Sequence, residues 1–104
     1  MTVQSRRKSL QAVLEEILGS GNVYFQPPSG IVMEYPCITY SRDNASTKSA
    51  DNIPYAFAQR YSVTLIDQNP DSDVYDRLTQ LEYCAFNRHF ETSGLNHDVF
   101  VIYY

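Results

Sequence analysis

The sequence predicts an α+β domain, with a mainly antiparallel sheet of four or five strands and two helices packed on one face. Three observations lead to this prediction. Two stretches have helical periodicity, the middle of the chain alternates like a strand, and residues 98–104 are rich in β-branched and aromatic side chains. A chain of 104 residues is long enough to bury one core, so residues 1–104 are expected to form a single domain.

The first helix is predicted by apolar residues that recur at intervals of three and four near the start of the chain. These residues are Leu10, Val13, Leu14, Ile17 and Leu18. Gly19 is placed to end the helix, because glycine readily adopts the left-handed conformation of a helix C-terminus. One face of this helix is therefore expected to pack on an apolar surface.

Charge is unevenly placed at the start of the chain. The net charge of −4 argues against a dedicated nucleic-acid binder, which needs a basic stripe to neutralise phosphates. The one basic cluster is Arg6, Arg7 and Lys8, near the start of the first helix, where cations oppose the helix dipole. Two interpretations remain open, a solvated helix face or a surface that meets a partner or passing DNA.

Two short strands and a loop are expected next. Residues 22–26 form an extended run that ends at Pro27, and proline cannot donate to a sheet ladder, so this run belongs at an edge or a turn. Pro36 separates a lead-in segment from a strand at 37–40. Residues 42–52 are small, polar and without period, which predicts a loop that is either functional or disordered.

The remaining elements complete the sheet. Residues 55–67 alternate between apolar and polar side chains, which predicts the longest strand and a central place for it. Residues 69–72 supply a turn and the N-cap of a second helix, whose buried stripe is Val74, Leu78 and Leu81. Residues 85–92 and 98–104 are expected to form a hairpin joined through 93–96.

Metal-binding and catalytic patterns are incomplete. Cys84 and His89 lack the further ligands of a zinc site. A nucleophile pair of Cys84 and His97 would need an orienting third group and a cleft, and Cys84 falls at a helix-to-strand junction, where buried thiols are ordinary. We therefore expect no metal, no cofactor and no enzyme, and we expect Cys37 and Cys84 to be buried thiols without a disulfide.

The acidic segment 67–73 imitates the opening of a calcium-binding loop. Ser72 stands where that loop needs glycine, and Leu78 stands where it needs a bidentate glutamate. Asp and Asn at a strand-to-helix turn are more simply explained as turn and capping residues.

The termini and the tyrosines indicate an assembly component. No stretch of about 18 apolar residues is present, and no apolar signal region follows the N-terminal cations, so an unexported protein without a membrane partner is expected. Nine tyrosines, a residue type enriched at interfaces, divide between core and surface in this interpretation. The apolar and aromatic run at residues 98–104 would also need a cover if it formed an edge of the sheet, because an exposed apolar strand edge pairs with other chains. This favours a subunit of an assembly.

Three segments resemble a family of small tail proteins of long-tailed bacteriophages. They are NVYFQPP (22–28), YSVTLIDQNPDS (61–72) and LNHDVFVIYY (95–104). The resemblance is to the tail terminator, or tail-to-head joining protein, and it implies an α+β subunit that forms a hexameric ring on the last ring of the tail tube. It implies a virion protein of the tail or neck, assembled in the host cytoplasm. Its implied partners are copies of itself, the tail tube protein and the head-tail connector protein, with DNA only in passage through the lumen.

A ring subunit needs two contact patches and a lumen surface. The candidate interface or lumen residues are Arg6, Arg7, Lys8, Arg42, Lys48, Arg60, Tyr103 and Tyr104. Arg60 is either a lumen residue or a solvated or ion-paired residue on the polar face of its strand. Two alternatives to the terminator stay open. One is a head-proximal adaptor of similar fold, and the other is a small enzyme or host-directed regulator that uses Cys84 and the histidines, with a lowered thiol pKa.

Overall fold

The fold is one mixed sheet with a layer of helices. The structure, a computed structural model, describes residues 3–28, 30, 32–43 and 59–104. Their elements are α1 (Val3–Leu18), β1 (Val23–Phe25), β2 (Cys37–Arg42), β3 (Arg60–Asp67), α2 (Asp73–Thr79), β4 (Cys84–Thr92) and β5 (Leu95–Tyr103). The strand order is β1-β2-β3-β5-β4, in which β1 is parallel to β2 and every other neighbouring pair is antiparallel. The predicted α+β class and mainly antiparallel sheet are confirmed.

The core lies between the sheet and the helices, as the periodicity predicts. Leu10 and Leu14 of α1 are fully buried, and Ile17 and Leu18 pack against the same cluster. Gly19 ends α1 with a φ of +83°, and its N–H donates to the Glu15 carbonyl over 2.9 Å. The glycine is therefore needed there for the left-handed conformation that closes the helix.

Alternation along β3 separates the two faces of the sheet. Tyr61, Val63 and Leu65 are completely buried beneath the helices, whereas Ser62 and Thr64 point to the other face and are half-buried. β3 is the middle strand of the five, as predicted. It is not the longest described strand, because its eight residues compare with nine in β4 and in β5. The alternating pattern extended back to residue 55, but β3 begins at Arg60, and residues 55–58 lie outside the described part of the chain.

The predicted hairpin forms, with a tighter turn than expected. Thr92 pairs with Leu95, so only Ser93 and Gly94 connect the strands. Their φ values are +53° and +75°, the left-handed conformation at both central positions that a two-residue hairpin turn requires. Residues 95–97, predicted to lie in or next to the connection, are therefore the first residues of β5, and β4 begins one residue earlier than predicted, at Cys84.

The second helix begins where its cap predicts. Ser72 Oγ accepts a hydrogen bond from the Val74 N–H over 3.2 Å, and Val74 and Leu78 are buried. Leu81 lies just after the helix and is half-buried against the core. Together with α1, this helix covers one face of the sheet, and the two helices also contact each other.

The predicted loop at 42–52 is only partly described. Arg42 is the last residue of β2 rather than a loop residue, because it pairs with Tyr61 in β3. Residues 44–52 lie outside the described residues, so the loop prediction there is not addressed. Among the helices that the structure describes, none is long and apolar enough to cross a membrane.

Candidate assembly surfaces

The candidate basic residues separate into groups once the chain is folded. Arg7 of α1 and Arg42 of β2 meet at one aromatic ring, that of Phe25 in β1. The Arg7 guanidinium carbon lies 4.8 Å from the ring centroid and that of Arg42 lies 5.0 Å from it. Cation–π attraction of this kind holds a guanidinium in place without neutralising it. We call Arg7, Arg42 and Phe25 the basic patch.

A polar network beneath the basic patch fixes its position. The Tyr40 hydroxyl donates to Gln11 Oε1, and Gln11 Nε2 donates to the Val23 carbonyl over 2.9 Å. Burial raises the pKa of Tyr40, and the hydrogen bond from Arg7 opposes that rise. α1 is therefore tied to the edge strand β1 and to its neighbour β2 by hydrogen bonds as well as by apolar contacts.

The network makes a prediction about two neighbouring tyrosines. Tyr40→Phe should lower the free energy of unfolding by about 1 kcal/mol, because the hydrogen bond to Gln11 is lost. Tyr61 is the matched control, since its buried hydroxyl has no hydrogen-bond partner among the described residues. Tyr61→Phe should be neutral or stabilising, because it removes a desolvated hydroxyl. Urea unfolding followed by circular dichroism measures both, and an equal loss in the two variants would contradict the assignment.

The other candidate cations lie elsewhere. Arg60 is at the start of β3, and its Nε lies 3.1 Å from Asp43 Oδ2. The structure therefore shows Arg60 as the ion-paired residue that was one of its two interpretations. Arg6 lines a separate groove, and Lys8 is exposed on α1. Lys48 lies outside the described residues. The three cations of the sequence cluster 6–8 therefore lie in three different surroundings.

The two terminal tyrosines help to close the C-terminal end of the sheet. Tyr104 Oη lies 2.8 Å from Ser9 Oγ of α1, and its backbone N–H and C=O both bond Gln59. Tyr103 is half-buried and pairs with Arg60 in the register of β3 and β5. Both tyrosines border a groove of about 450 Å³ between α1 and the segment that follows α2.

An acidic hollow lies at the start of α2. It has a volume of about 280 Å³ and is lined by Pro70, Asp71, Ser72, Tyr75, Asp76 and Asp98. Asp98 is paired with His89, whose Nδ1 lies 2.7 Å from Asp98 Oδ1. Within the described ranges, neither Asp71 nor Asp76 forms an ion pair. The hollow therefore keeps two unpaired carboxylates.

The residues that imitate a calcium loop serve as turn residues. Asp67 Oδ1 accepts from the Asn69 N–H over 2.9 Å, and Asn69 Oδ1 accepts from the Asp71 N–H over 3.0 Å. These bonds confirm the predicted turn and capping roles. Among the residues described, no group of three or more His, Cys, Asp or Glu side chains could hold a metal ion.

The two thiols are free and are held in their neutral form. Cys37 is buried and Cys84 is half-buried, and burial raises the pKa of each thiol to about 11. A nucleophilic cysteine needs the opposite shift, because the thiolate is the reactive species. The geometry gives the thiol-dependent alternative no support.

The edge strand β4 has exposed aromatic side chains that sequence reasoning did not single out. Phe86 is 44% exposed and Phe90 is 39% exposed. Phe90 stacks on His97 with centroids 4.6 Å apart, and the Arg88 guanidinium lies 5.5 Å from the Phe90 centroid. Phe86 contacts Tyr75 of α2, beside the acidic hollow. The sequence of 85–92 does not alternate, and a bulge between Phe86 and Arg88 changes the faces along β4, so the strand prediction did not indicate these positions.

Comparison of the chain with protein-family models, with curated proteins and with solved structures gives no match. The surfaces described above are therefore interpreted from their own geometry and chemistry.

Proposed function

We propose that this protein is a structural subunit of a bacteriophage tail. In this proposal it forms a ring, hexameric by the resemblance of its three segments, that caps the tail tube and ends its polymerisation. The ring also joins the tail to the head connector. The protein would act in the virion, after assembly in the host cytoplasm, and would contact DNA only as the DNA passes.

The observation that carries the proposal is the pair of unlike sheet edges. In the described part of the chain, the sheet ends at β1 on one side and at β4 on the other. β1 lies beside the basic patch, whereas β4 lies beside the acidic hollow and has exposed aromatic rings. A ring built by rotation needs two different patches on each subunit, and this chain offers two.

The helix-free face of the sheet suits a DNA passage. Its central positions hold short uncharged side chains, Thr39 and Ser41 in β2 and Ser62 and Thr64 in β3. Two described cations share this face: Arg60 is paired with Asp43, and Arg88 of β4 lies over the Phe90 ring. Such a surface offers few phosphate contacts, so it would let DNA slide rather than hold it.

Electron microscopy of tails tests the proposal. Phage that lack the gene should produce overlong or ragged tail tubes, because nothing ends tube growth, and added purified protein should restore a uniform length. A core variant that does not fold, such as Val63→Asp, is the matched negative control for the addition.

Two other outcomes separate the alternatives. Tails of normal length that fail to join heads would favour a head-proximal adaptor. Normal infectious particles without the gene would exclude a role in the tail and favour a regulator or enzyme.

A further inference from the structure

The basic patch and the acidic hollow lie at opposite edges of the sheet, in the same layer. Arg7 belongs to α1 in the helix layer, and Arg42 is in register with Tyr61, which faces that layer. Asp98 is in register with Leu65, which faces the same layer, and the rest of the hollow belongs to α2 and the turn before it. Among the described residues, cations and carboxylates without an ion-pair partner therefore occur on the two flanks of one face.

The basic patch offers guanidinium groups, and the acidic hollow offers carboxylates in a concave surface. Arg42 is exposed, and its guanidinium is steadied on the Phe25 ring. The hollow is concave, with Asp71 and Asp76 at its lining. A planar guanidinium binds a carboxylate through two parallel hydrogen bonds, so an exposed arginine suits a hollow lined by carboxylates.

We propose that the basic patch of one subunit binds the acidic hollow of a second copy of this chain. The inference rests on the ring function proposed above and names the two surfaces that form its repeated contact. The contact is heterologous, because each subunit uses a different surface on each side, and a suitable rotation closes it into a ring. Charge complementarity then fixes the direction and register of neighbouring subunits.

A second copy suits the basic patch better than DNA does. Duplex recognition uses a stripe of cations along the phosphates, whereas this patch holds two guanidinium groups on a chain of net charge −4. Every copy also carries the acidic hollow, so each patch has one complementary site in any assembly of identical chains.

Charge reversal tests the pairing in the full chain. Two variants are made, Arg7→Glu/Arg42→Glu and Asp71→Lys/Asp76→Lys, and sedimentation velocity is measured over a concentration series. Each variant alone should need at least about tenfold more protein to associate than the unchanged chain, because like charges then face each other. An equimolar mixture of the two should recover association, since reversed patches meet reversed hollows and unchanged patches meet unchanged hollows.

Matched controls separate this contact from general charge effects. Lys8→Glu and Glu16→Lys each reverse one exposed charge elsewhere on α1 and match the single variants Arg42→Glu and Asp76→Lys, so they should associate like the unchanged chain. Circular dichroism confirms folding of every variant, and Arg42→Glu with Asp76→Lys repeats the test with one exposed substitution per chain. Added salt should weaken association of the unchanged chain, since exposed charges are screened.

Several results would overturn the proposal. These are folded variants whose mixture stays dissociated, reversed variants that associate normally, and an unchanged chain that stays monomeric throughout. Loss of duplex DNA retention by Arg7→Glu/Arg42→Glu, with association intact, would assign the basic patch to DNA instead. Tails that are still capped by a reversed variant would leave the proposed function standing while rejecting this contact.

Discussion

Phe100→Ala is expected to lower the free energy of unfolding by about 3 to 5 kcal/mol. Phe100 lies in β5, is fully buried, and pairs with Val63 of the central strand. Its ring also contacts the rings of Tyr75 and Phe86, with centroids 5.4 and 5.7 Å away, so truncation removes contacts with both α2 and β4. A domain of this size is stable by roughly 5 to 15 kcal/mol, so the loss is a large part of the total.

Denaturant unfolding followed by circular dichroism measures this loss. The matched control is Phe90→Ala, which removes the same side chain from an exposed position on β4 and should cost about 1 kcal/mol or less. Similar losses at the two positions would contradict the description of the core, because burial alone distinguishes them.

Val63→Asp is expected to unfold the domain or leave it barely stable. Val63 is completely buried in the middle of the central strand, among the apolar side chains of the core. An unpaired buried charge costs about 3 to 5 kcal/mol, and the loss of apolar contacts adds to that cost. Thermal melting at neutral pH should therefore show a transition far below that of the unchanged chain.

The neighbouring substitution Thr64→Asp is the control for the two faces of β3. Thr64 points to the helix-free face and is half-buried, so a carboxylate there keeps some contact with water. It should cost much less than Val63→Asp, and equal effects would mean that the assigned faces are wrong.

Acidification adds a second check on Val63→Asp. Burial would raise the folded-state pKa of the introduced carboxyl above its unfolded value of about 3.9. The variant should therefore regain stability relative to the unchanged chain as the pH falls through the raised folded-state pKa, and the gain should be complete below about 3.9. A constant difference between the two proteins at every pH would contradict this reasoning.

Local signals predicted several elements correctly. The stripe around Leu10 and Leu14, the stop at Gly19 and the cap at Ser72 depend on neighbours close in sequence, and each is observed. The alternation of 61–65 also predicted which side chains of β3 are buried. These features follow from helix and strand periodicity, which any short stretch of sequence displays.

Long-range pairing decided what the local pattern could not. The extent of β3 and the start of β5 depend on which residues find partners across the sheet, and both differ from the prediction. The candidate surfaces also depend on long-range pairing. Arg7, Phe25 and Arg42 are far apart in sequence and meet only because β1 pairs with β2 under α1.

Local sequence signals were enough to predict the α+β class, the buried face of each helix and the central place of β3, because hydrophobic periodicity and capping are properties of neighbouring residues. Strand pairing made β1 and β4 the two edges in the described part of the chain, and it placed the basic patch and the acidic hollow on opposite flanks of one face. The physical reason is that surfaces form from side chains distant in sequence, and strand order sets which of them meet.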